Sequence, residues 1–518
     1  MSLEKKNFIS QYNKGLPQIL KKNLIADIET PFSSLLKISK SEKYSFLLES
    51  VEGGSKRGRY SLLGCDPDLI WTVEKGKAKI KYLDHNFDYK LDQKPIHSLK
   101  ELVKISKFKN NEIDVPFPTL VGYLGYPMIQ YIENIKLSNK DNIKIPDAIL
   151  IRPKLVAVFD NIKDIISLMT VTYPSKKISA EKAYRKNKLL IEKTIKKLEK
   201  SILKPAQKKN KKSKLKFKSN FKKEQFYKIV NKAKEYIKNG DIFQVVPSQR
   251  FETKYNLKAV NLYRSLRRLN PSPYLVNLNF DKIGLVASSP ELMVQLRNKK
   301  VTIRPIAGTR KRGKNASEDL YLSNDLLNDK KELAEHLMLL DLGRNDVGRV
   351  AKKGTVNVTE KMIIEYYSHV MHIVSNVEGK IDNNLDALDA LMAGFPAGTV
   401  SGAPKIRAME IIEELENLNR SFYAGCMGYF DSNGDMDTCI SLRTGLVKDN
   451  KLYIQAGAGI VYDSVPKNEH QEILNKAGAL MAAAEDSYKF DIWSVSYKHL
   501  PSPRDRQKSR MASSAWKK

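Results

Sequence analysis

The sequence predicts a mixed α+β fold. The first 170 residues alternate short strand-like runs with turn residues, and the rest of the chain interleaves β-like runs with long amphipathic helices. The two kinds of segment do not alternate as regular βαβ units, which argues against a doubly wound parallel sheet. Hydrophobic residues make up 42% of the 518 residues, so we expect a large globular core.

The strand predictions rest on apolar runs bounded by turn residues. The clearest runs are Tyr44-Ser-Phe-Leu-Leu-Glu-Ser50, residues 69–73 and residues 150–159. Gly53-Gly54 and Asp66-Pro67 supply the turn chemistry between them. We therefore expect an N-terminal region dominated by strands.

Two helical patterns and one charged run divide the chain. A charged helix is predicted over residues 178–203, and an amphipathic helix over residues 226–237 ends at Asn239-Gly240. The run from Lys204 to Lys223 contains ten lysines, which indicates an exposed linker. The predicted regions are 1–175, a helix and linker over 176–223, a second domain over 224–486, and a tail over 487–518. The tail, strongly basic from Lys498 onward, is expected to be disordered or a sequence artefact.

The net charge of +32 leaves two interpretations open. A basic chain can bind nucleic acid through phosphate contacts. No nucleic-acid-binding fold signature accompanies the charge, so a solvated lysine-rich surface is the favoured interpretation and no nucleic-acid partner is expected.

Cysteine content and hydropathy predict the compartment. The three scattered cysteines Cys65, Cys426 and Cys439 form neither a disulfide framework nor a zinc motif, and they suit a reducing cytosol. No stretch approaches the roughly 18 apolar residues of a membrane span, and the first residues carry no apolar signal segment. We therefore expect a cytoplasmic protein with no membrane partner.

Two similar carboxylate pairs are candidates for a metal site. Glu332 and Glu335 lie in one predicted helix, and Glu469 and Glu472 in another. The i,i+3 spacing places each pair on one helical face, and two such pairs can hold a hard divalent ion through oxygen atoms. The alternative is that they are surface glutamates paired with lysines such as Lys476.

Glycine-rich segments form a second group of candidates. They are residues 303–312, residues 395–405 and residues 455–460. Exposed backbone N–H groups at such turns can bind anions, although each segment alone is also explained as a tight turn. None is a Walker or Rossmann fingerprint, so nucleotide binding is not supported.

Eight segments, taken together and in order, make the sequence resemble the chorismate-binding large subunits of anthranilate synthases. The segments are Leu47-Leu-Glu-Ser50, Ile242-Phe-Gln-Val-Val-Pro-Ser-Gln249, Asn270-Pro-Ser-Pro-Tyr274, Ser288-Ser-Pro-Glu291, Pro305-Ile-Ala-Gly-Thr-Arg310, Asp341-Leu-Gly-Arg-Asn-Asp346, Gly398-Thr-Val-Ser-Gly-Ala-Pro-Lys405 and Gly457-Ala-Gly-Ile-Val461. The resemblance spans about residues 20–486. It implies an α+β fold with two stacked antiparallel sheets and helices packed outside, a regulatory domain over 1–175 and a catalytic domain over 224–486.

The resemblance also implies a reaction and a site. Chorismate is aminated at C2 with loss of its 4-hydroxyl, and pyruvate is then eliminated to leave anthranilate. The implied Mg²⁺ ligands are Glu335 and Glu472, with Glu332 and Glu469 close by. The implied substrate contacts are Gly308, Thr309, Tyr423, Arg443, Gly457, Ala458, Gly459 and Lys476. The implied acid is Glu291, and His372, helped by Thr399, is implied to assist pyruvate elimination.

Two positions separate this branch from related enzymes. The motif that commonly carries a nucleophilic lysine in aminodeoxychorismate synthases has Ala307 here, and the water-activating lysine of isochorismate synthases matches Gln244. Since neither residue is a lysine, ammonia is expected to be the nucleophile. The alternative function for the chain is that of an aminodeoxychorismate synthase component I. Since no glutaminase triad is evident, ammonia is expected from the medium or, through glutamine, from a separate amidotransferase subunit.

Finally, the resemblance implies feedback inhibition by L-tryptophan. Glu49 would accept its ammonium group and Ser50 would hydrogen-bond to it, while Pro273, Tyr274 and Leu275 would supply backbone and apolar contact. Without the resemblance, these segments would be interpreted as an ordinary strand and a proline-rich turn.

Overall fold

The computed structural model of the chain describes residues 2–40, 42–52, 56–84, 87, 89–108, 113–201, 214–367 and 370–490. Its α-helices are α1 (Leu3–Asn13), α2 (Pro31–Ile38), α3 (Pro95–Ser106), α4 (Ala180–Leu198), α5 (Lys223–Lys238), α6 (Ala259–Leu269), α7 (Ala316–Asn328), α8 (Lys330–Gly348), α9 (Ala387–Gly394), α10 (Lys405–Leu415) and α11 (Pro466–Asp486). Short 3₁₀ helices cover Tyr126–Tyr131, Gly398–Val400 and Ser487–Phe490.

The strands are distributed along the whole described chain. They are β1 (Gln18–Ile25), β2 (Tyr44–Glu49), β3 (Val51–Glu52), β4 (Lys56–Arg57), β5 (Tyr60–Glu74), β6 (Lys77–Tyr82), β7 (Pro118–Leu124), β8 (Ala148–Asp160), β9 (Ile165–Thr172), β10 (Lys218–Ser219), β11 (Gln244–Val245), β12 (Ser248–Lys254), β13 (Tyr274–Phe280), β14 (Ile283–Ser289), β15 (Leu292–Arg297), β16 (Lys300–Ile303), β17 (Ile306–Lys311), β18 (Asn357–Tyr366), β19 (Val370–Lys380), β20 (Gly402–Ala403), β21 (Cys426–Asp431), β22 (Met436–Ile440), β23 (Thr444–Lys448) and β24 (Lys451–Gly457). The predicted mixed α+β class is confirmed.

The main sheet system is antiparallel and has two branches that meet at the β5–β8 pair. One branch runs through β5, β2, β13, β14, β23, β24, β12 and β10. The other runs through β8, β7, β21, β22, β15, β16 and β19, and β19 also pairs with β17 and β18.

The two branches pack face to face over the main hydrophobic core. The Tyr123 ring on β7 stacks against the Phe280 ring on β13, with centroids 6.3 Å apart. Along β2, Phe46 belongs to this inner core, whereas Leu47 faces a second hydrophobic cluster formed with the helices. Successive side chains of a strand point to opposite faces, so one strand serves both layers. The expected stacked antiparallel sheets with helices outside are confirmed.

Helices α5, α6 and α11 cover the outer face of the first branch. Phe226, Leu262 and Ile473 are fully buried in the helix-side cluster. Helix α5 extends the predicted segment by three residues at its start and ends at Lys238, where Gly240 adopts a φ of +82°. A left-handed glycine after a helix is a common stop, which explains the predicted end.

Strand pairing crosses the predicted domain boundary. β2 pairs with β13, and β7 pairs with β21, so each branch contains strands from both predicted domains. The charged helix is present as α4, while residues 202–213 of the predicted linker and residues 491–518 of the predicted tail lie outside the described residues. The division into domains stays a prediction. Within the described ranges, no helix is both long and apolar enough to cross a membrane.

Candidate active site

Helices α8 and α11 carry the two carboxylate pairs. Helix α8 begins after Asp329, whose side chain accepts the N–H groups of Lys331 and Glu332 at 3.0 and 3.2 Å. Helix α11 begins at Pro466. Proline suits a first helical turn, because its missing N–H would have no intrahelical acceptor there.

The two pairs influence each other electrostatically. Burial raises the pKa of Glu335 and Glu469, and the charge of Glu472 raises both further. Burial also raises the pKa of Glu332, with a second contribution from Glu335. Carboxylates of α8 and α11 therefore face a common space, which concentrates negative charge there.

This donor set suits a hard cation. All four side chains offer oxygen atoms, which Mg²⁺ prefers, and a bound cation would offset the negative charge that the four carboxylates concentrate there. Across the described ranges, no three His, Cys, Asp or Glu side chains are already arranged as a metal cluster. The chemistry of the donors fits Mg²⁺, and assignment of the metal stays a prediction.

Gln244 joins the carboxylates to the glycine-rich loop. Its Nε2 donates to Glu335 Oε1 at 2.9 Å, and the side chain is only 2% exposed. A Cβ on Gly459 would lie 2.6 Å from Gln244 Nε2 and 3.6 Å from Glu335 Oε1. A side chain at residue 459 would therefore push the Gln244 amide aside.

The loop over residues 457–459 begins at the end of β24. The Ala458 N–H donates to the Pro247 carbonyl at 3.2 Å. This amide, which was predicted to bind an anion, is therefore already used in a backbone hydrogen bond. Tyr423 is buried beside Gly457, where an added Cβ would lie 2.9 Å from its hydroxyl oxygen. Lys476 Nζ donates to the Gly457 carbonyl at 3.0 Å and pairs with Glu472 Oε1 at 2.7 Å.

His372 is held by a bulge in the neighbouring strand. Gly308 adopts a φ of +65°, and the β17–β19 register shifts between Ala307 and Thr309. His372 Nδ1 lies 2.9 Å from the Gly308 carbonyl and 3.0 Å from Thr309 Oγ1. A carbonyl only accepts, so Nδ1 carries the hydrogen and Nε2 is a free base. Burial lowers the pKa of His372 to about 4, so the ring is neutral near pH 7.

Glu291 is the buried acid of the site. It lies between β14 and β15 and is 6% exposed. Burial raises its pKa to about 8, while an interaction with the Thr399 hydroxyl and the charges of Lys476 and Arg443 oppose the rise. The structure thus places Thr399 beside Glu291, whereas the partners of His372 Nδ1 are Gly308 and Thr309.

Arg443 contributes the second cation. It lies between β22 and β23 with a φ of 45°, and its carbonyl accepts the Ser288 N–H at 3.2 Å. Burial lowers its pKa, and Tyr367 and Glu291 oppose that effect. In the part of the chain that the structure describes, no carboxylate forms an ion pair with Arg443. A half-buried guanidinium of this kind is suited to bidentate binding of a carboxylate.

The charges of Arg443 and Lys476 act on both Glu291 and His372, so the structure brings these four predicted residues into one site. Tyr367 was not predicted. Its ring lies edge-on to that of His372, with centroids 5.3 Å apart, and its hydroxyl donates to Glu365 Oε2 at 2.9 Å. The only sequence signal for Tyr367 was its place five residues before His372, the candidate acid–base histidine.

Two of the residues predicted to bind L-tryptophan, Glu49 and Leu275, lie on adjacent strands. Glu49 is directly opposite Leu275 in the β2–β13 pairing. The Glu49 carboxylate pairs with Arg267 at 2.7 and 3.0 Å and accepts the Tyr263 hydroxyl. A ligand ammonium group at Glu49 would therefore share or replace the Arg267 contact.

Comparison with known proteins places this site in a class. The family model described as chorismate binding enzyme matches residues 45–482. The chain belongs to this family of chorismate-binding enzymes.

Three individual proteins show which members of the family this chain is similar to. Anthranilate synthase component 1 of Cereibacter sphaeroides is 49% identical to this chain, over 93% of this chain and 98% of the relative. The solved structure of anthranilate synthase component I from Streptococcus pneumoniae matches with a TM-score of 0.71 and 35% identity, over 88% of this chain and 99% of that chain. The menaquinone-specific isochorismate synthase of Escherichia coli matches with a TM-score of 0.68 at 18% identity, over 93% of this chain and 99% of that chain. The last match shows the shared fold alone, and the resemblance inferred from the motifs is confirmed.

Proposed function

We propose that this chain is an anthranilate synthase large subunit that converts chorismate and ammonia into anthranilate and pyruvate, the first committed step of tryptophan biosynthesis. The observation that carries the proposal is a buried carboxyl, Glu291, with a pKa raised to about 8 beside the cations Arg443 and Lys476. Chorismate is a dianion with a hydroxyl to be expelled. A protonated acid among cationic groups suits that substrate.

Binding relies on charge and on donors. Arg443 grips one carboxylate of chorismate in bidentate fashion, and Lys476 supplies a second cation. The Gly459 amide and the Thr309 and Tyr423 hydroxyls add polar contacts. Glu335 and Glu472, assisted by Glu332 and Glu469, would hold Mg²⁺, which when bound neutralises the ring carboxylate.

The first step replaces the 4-hydroxyl by an amino group at C2. The ammonia lone pair forms the C2–N bond, the two ring double bonds shift, and the C4–O bond breaks. Glu291 donates its proton to the departing oxygen, which leaves as water. The new C2 ammonium group loses a proton to solvent, and Glu291 regains one from solvent.

The second step forms the aromatic ring. The neutral His372 Nε2 takes the C2 proton, the C2–H electrons enter the ring, and the C3–O bond breaks to release enolpyruvate. Protonation of enolpyruvate at its methylene carbon gives pyruvate. Thr399 lies close to Glu291, the acid of the first step, and opposes the rise of its pKa.

The nucleophile follows from Ala307 and Gln244, neither of which can attack C2 or deprotonate water. The test is to incubate the purified chain with chorismate, Mg²⁺ and an ammonium salt and to identify the product by fluorescence and mass spectrometry. Anthranilate supports the proposal. Aminodeoxychorismate or isochorismate as the main product would contradict it.

The source of ammonia is a separate glutamine amidotransferase. A glutaminase needs a reactive thiolate. Cys65, Cys426 and Cys439 are all buried, and burial raises the pKa of each thiol well above its usual value. The chain alone is therefore expected to use ammonium salt and to leave glutamine untouched.

The pH profile is a first prediction. Glu291 must be protonated, so kcat/KM for chorismate should fall as the pH rises through about 8. His372 must be neutral, so kcat/KM should also fall as the pH drops through about 4. The concentration of free ammonia should be held constant, because the ratio of ammonia to ammonium changes with pH. A profile that stays flat well past pH 8 would remove Glu291 as the acid.

Feedback by L-tryptophan is a second prediction. The ligand would bind between Ser50 and the segment over residues 273–275, which the β2–β13 pairing brings together. Replacing Ser50 with phenylalanine should weaken tryptophan inhibition by about 5- to 150-fold, the usual range of allosteric coupling. Turnover without tryptophan should be unchanged. Wild-type protein that shows neither inhibition nor heat of binding at millimolar tryptophan would contradict the site.

A further inference from the structure

We propose that Tyr367 is a positioning residue for His372, the base of the second step, an inference that rests on the proposed function and adds a residue to its site. Tyr367 directly follows β18, and only 8% of it is exposed. Its ring stands at 70° to the imidazole of His372, with the two ring centroids 5.3 Å apart. Perpendicular aromatic rings at this separation attract each other, so the imidazole has a buried aromatic partner that favours one orientation.

The pairing of three strands places His372 between two anchoring residues. Thr309 of β17 is directly opposite His372 on one side, and Glu365 of β18 is directly opposite it on the other. Side chains directly opposite each other in antiparallel strands lie on the same face of the sheet. On the β17 side, the Gly308 carbonyl and the Thr309 hydroxyl lie 2.9 and 3.0 Å from Nδ1. These contacts fix one ring nitrogen, and the tilt of the ring about it depends on what packs from the β18 side.

Tyr367 is itself fixed on that side. Its hydroxyl donates to Glu365 Oε2 at 2.9 Å, and its backbone N–H donates to the Val370 carbonyl at 2.8 Å. Arg304 holds Glu365 at 2.7 Å and also pairs with Glu360 at 2.6 Å. Burial and the charge of Glu365 raise the pKa of Tyr367, so the hydroxyl keeps the proton that makes this bond. Both ends of the tyrosine are therefore anchored.

The tyrosine lies inside the site, where it has no proton to transfer. Its interaction with Arg443 opposes the fall of the arginine pKa, and the charge of Glu291 in turn acts on Tyr367. The ring is therefore close to the groups proposed to bind a substrate carboxylate and to protonate the leaving hydroxyl. Because the Tyr367 hydroxyl is bonded to Glu365, its contribution is geometric.

The two steps of the reaction need His372 differently. The first step uses the proton of Glu291, whereas the second requires His372 Nε2 to meet the C2 proton. Loss of the tyrosine ring should therefore slow the second step and spare the first. The compound left after the first step carries the new amino group and still holds the enolpyruvyl group.

The test is Tyr367→Leu, which keeps an apolar side chain and removes the flat ring. Formation of anthranilate should slow about 10²-fold, the cost of a misplacement of about 1 Å. The first-step product should accumulate, seen by mass spectrometry and as consumption of chorismate that exceeds release of pyruvate. Tyr367→Phe keeps the ring, so it should make mainly anthranilate at a rate lowered no more than about fivefold, the effect of one lost hydrogen bond.

Two further variants make the test independent of folding. Tyr367→Met also removes the ring, with a flexible side chain that adapts to irregular gaps, and it should accumulate the same product. Tyr321→Leu makes the first substitution at a tyrosine of α7 that is 70% exposed, and it should release no first-step product. Thermal unfolding of each variant identifies those that fold.

Two results would overturn the inference. One is a folded Tyr367→Leu or Tyr367→Met protein that releases no first-step product, whether it makes anthranilate normally or loses both steps together. The other is a Tyr367→Phe protein that accumulates as much of this product as Tyr367→Leu, which would show that the ring is not what positions the base. In both cases the wild type still makes anthranilate, so the proposed function stands. Wild-type protein that makes no anthranilate from ammonium would overturn both.

Discussion

Replacing Glu291 with glutamine is expected to lower kcat by about 10²- to 10⁴-fold, the usual contribution of a positioned general acid. The amide keeps the size and the buried position but has no proton to give to the departing 4-hydroxyl. The KM for chorismate should change little, because its charges are bound by Arg443 and Lys476. Steady-state kinetics with ammonium salt measures both constants.

A matched variant separates acid catalysis from simple disruption. The Thr399 hydroxyl lowers the pKa of Glu291, so Thr399→Val should move the alkaline limb of the pH profile to higher pH. Activity should persist at neutral pH, where Glu291 stays protonated. A Glu291→Gln enzyme that keeps full kcat, or a Thr399→Val limb that does not move, would show that another group supplies the proton.

Replacing Glu335 or Glu472 with glutamine is expected to abolish turnover while the protein stays folded. Each substitution removes an anionic oxygen from a proposed site for Mg²⁺, an ion that gives up its waters reluctantly and depends on charged ligands. EDTA should likewise stop the wild-type enzyme, and added Mg²⁺ should restore it. Thermal unfolding gives a second readout, since Mg²⁺ should raise the Tm of the wild type and not of either variant.

A second glutamate, Glu235, provides a control for the glutamate-to-glutamine substitution. Glu235 on α5 is exposed and pairs with Lys232 at 2.8 Å, much as Glu472 pairs with Lys476. Glu235→Gln should leave activity and the effect of Mg²⁺ on Tm unchanged. Full wild-type turnover in EDTA would remove Mg²⁺ from the site.

Several features of the site could be predicted from local sequence. The i,i+3 spacing of Glu332 and Glu335 predicted one helical face, and α8 has it. The glycine in residues 305–310 indicated a special turn, and Gly308 adopts a left-handed φ. These predictions succeeded because helical periodicity and backbone freedom depend on residues close in sequence.

Other features of the site could not be predicted from the sequence. Glu49 was expected to be available to a ligand ammonium group, yet Arg267 and Tyr263 from α6 already contact it. Ala458 was expected to offer its amide, yet the Pro247 carbonyl accepts it. Both contacts join segments that are distant along the chain, which no local pattern reports.

The sequence by itself determined which residues this chain has available: the carboxylate pairs, the glycine turns, and the Ala307 and Gln244 that exclude lysine chemistry. The tertiary structure alone decided what those groups can do. Burial between strands raises the pKa of Glu291 to about 8, and the fold places the Gln244 amide 2.9 Å from Glu335 Oε1. The physical reason is that desolvation and hydrogen-bond satisfaction depend on every neighbouring group in space, and those neighbours come together only when the two sheet branches pack.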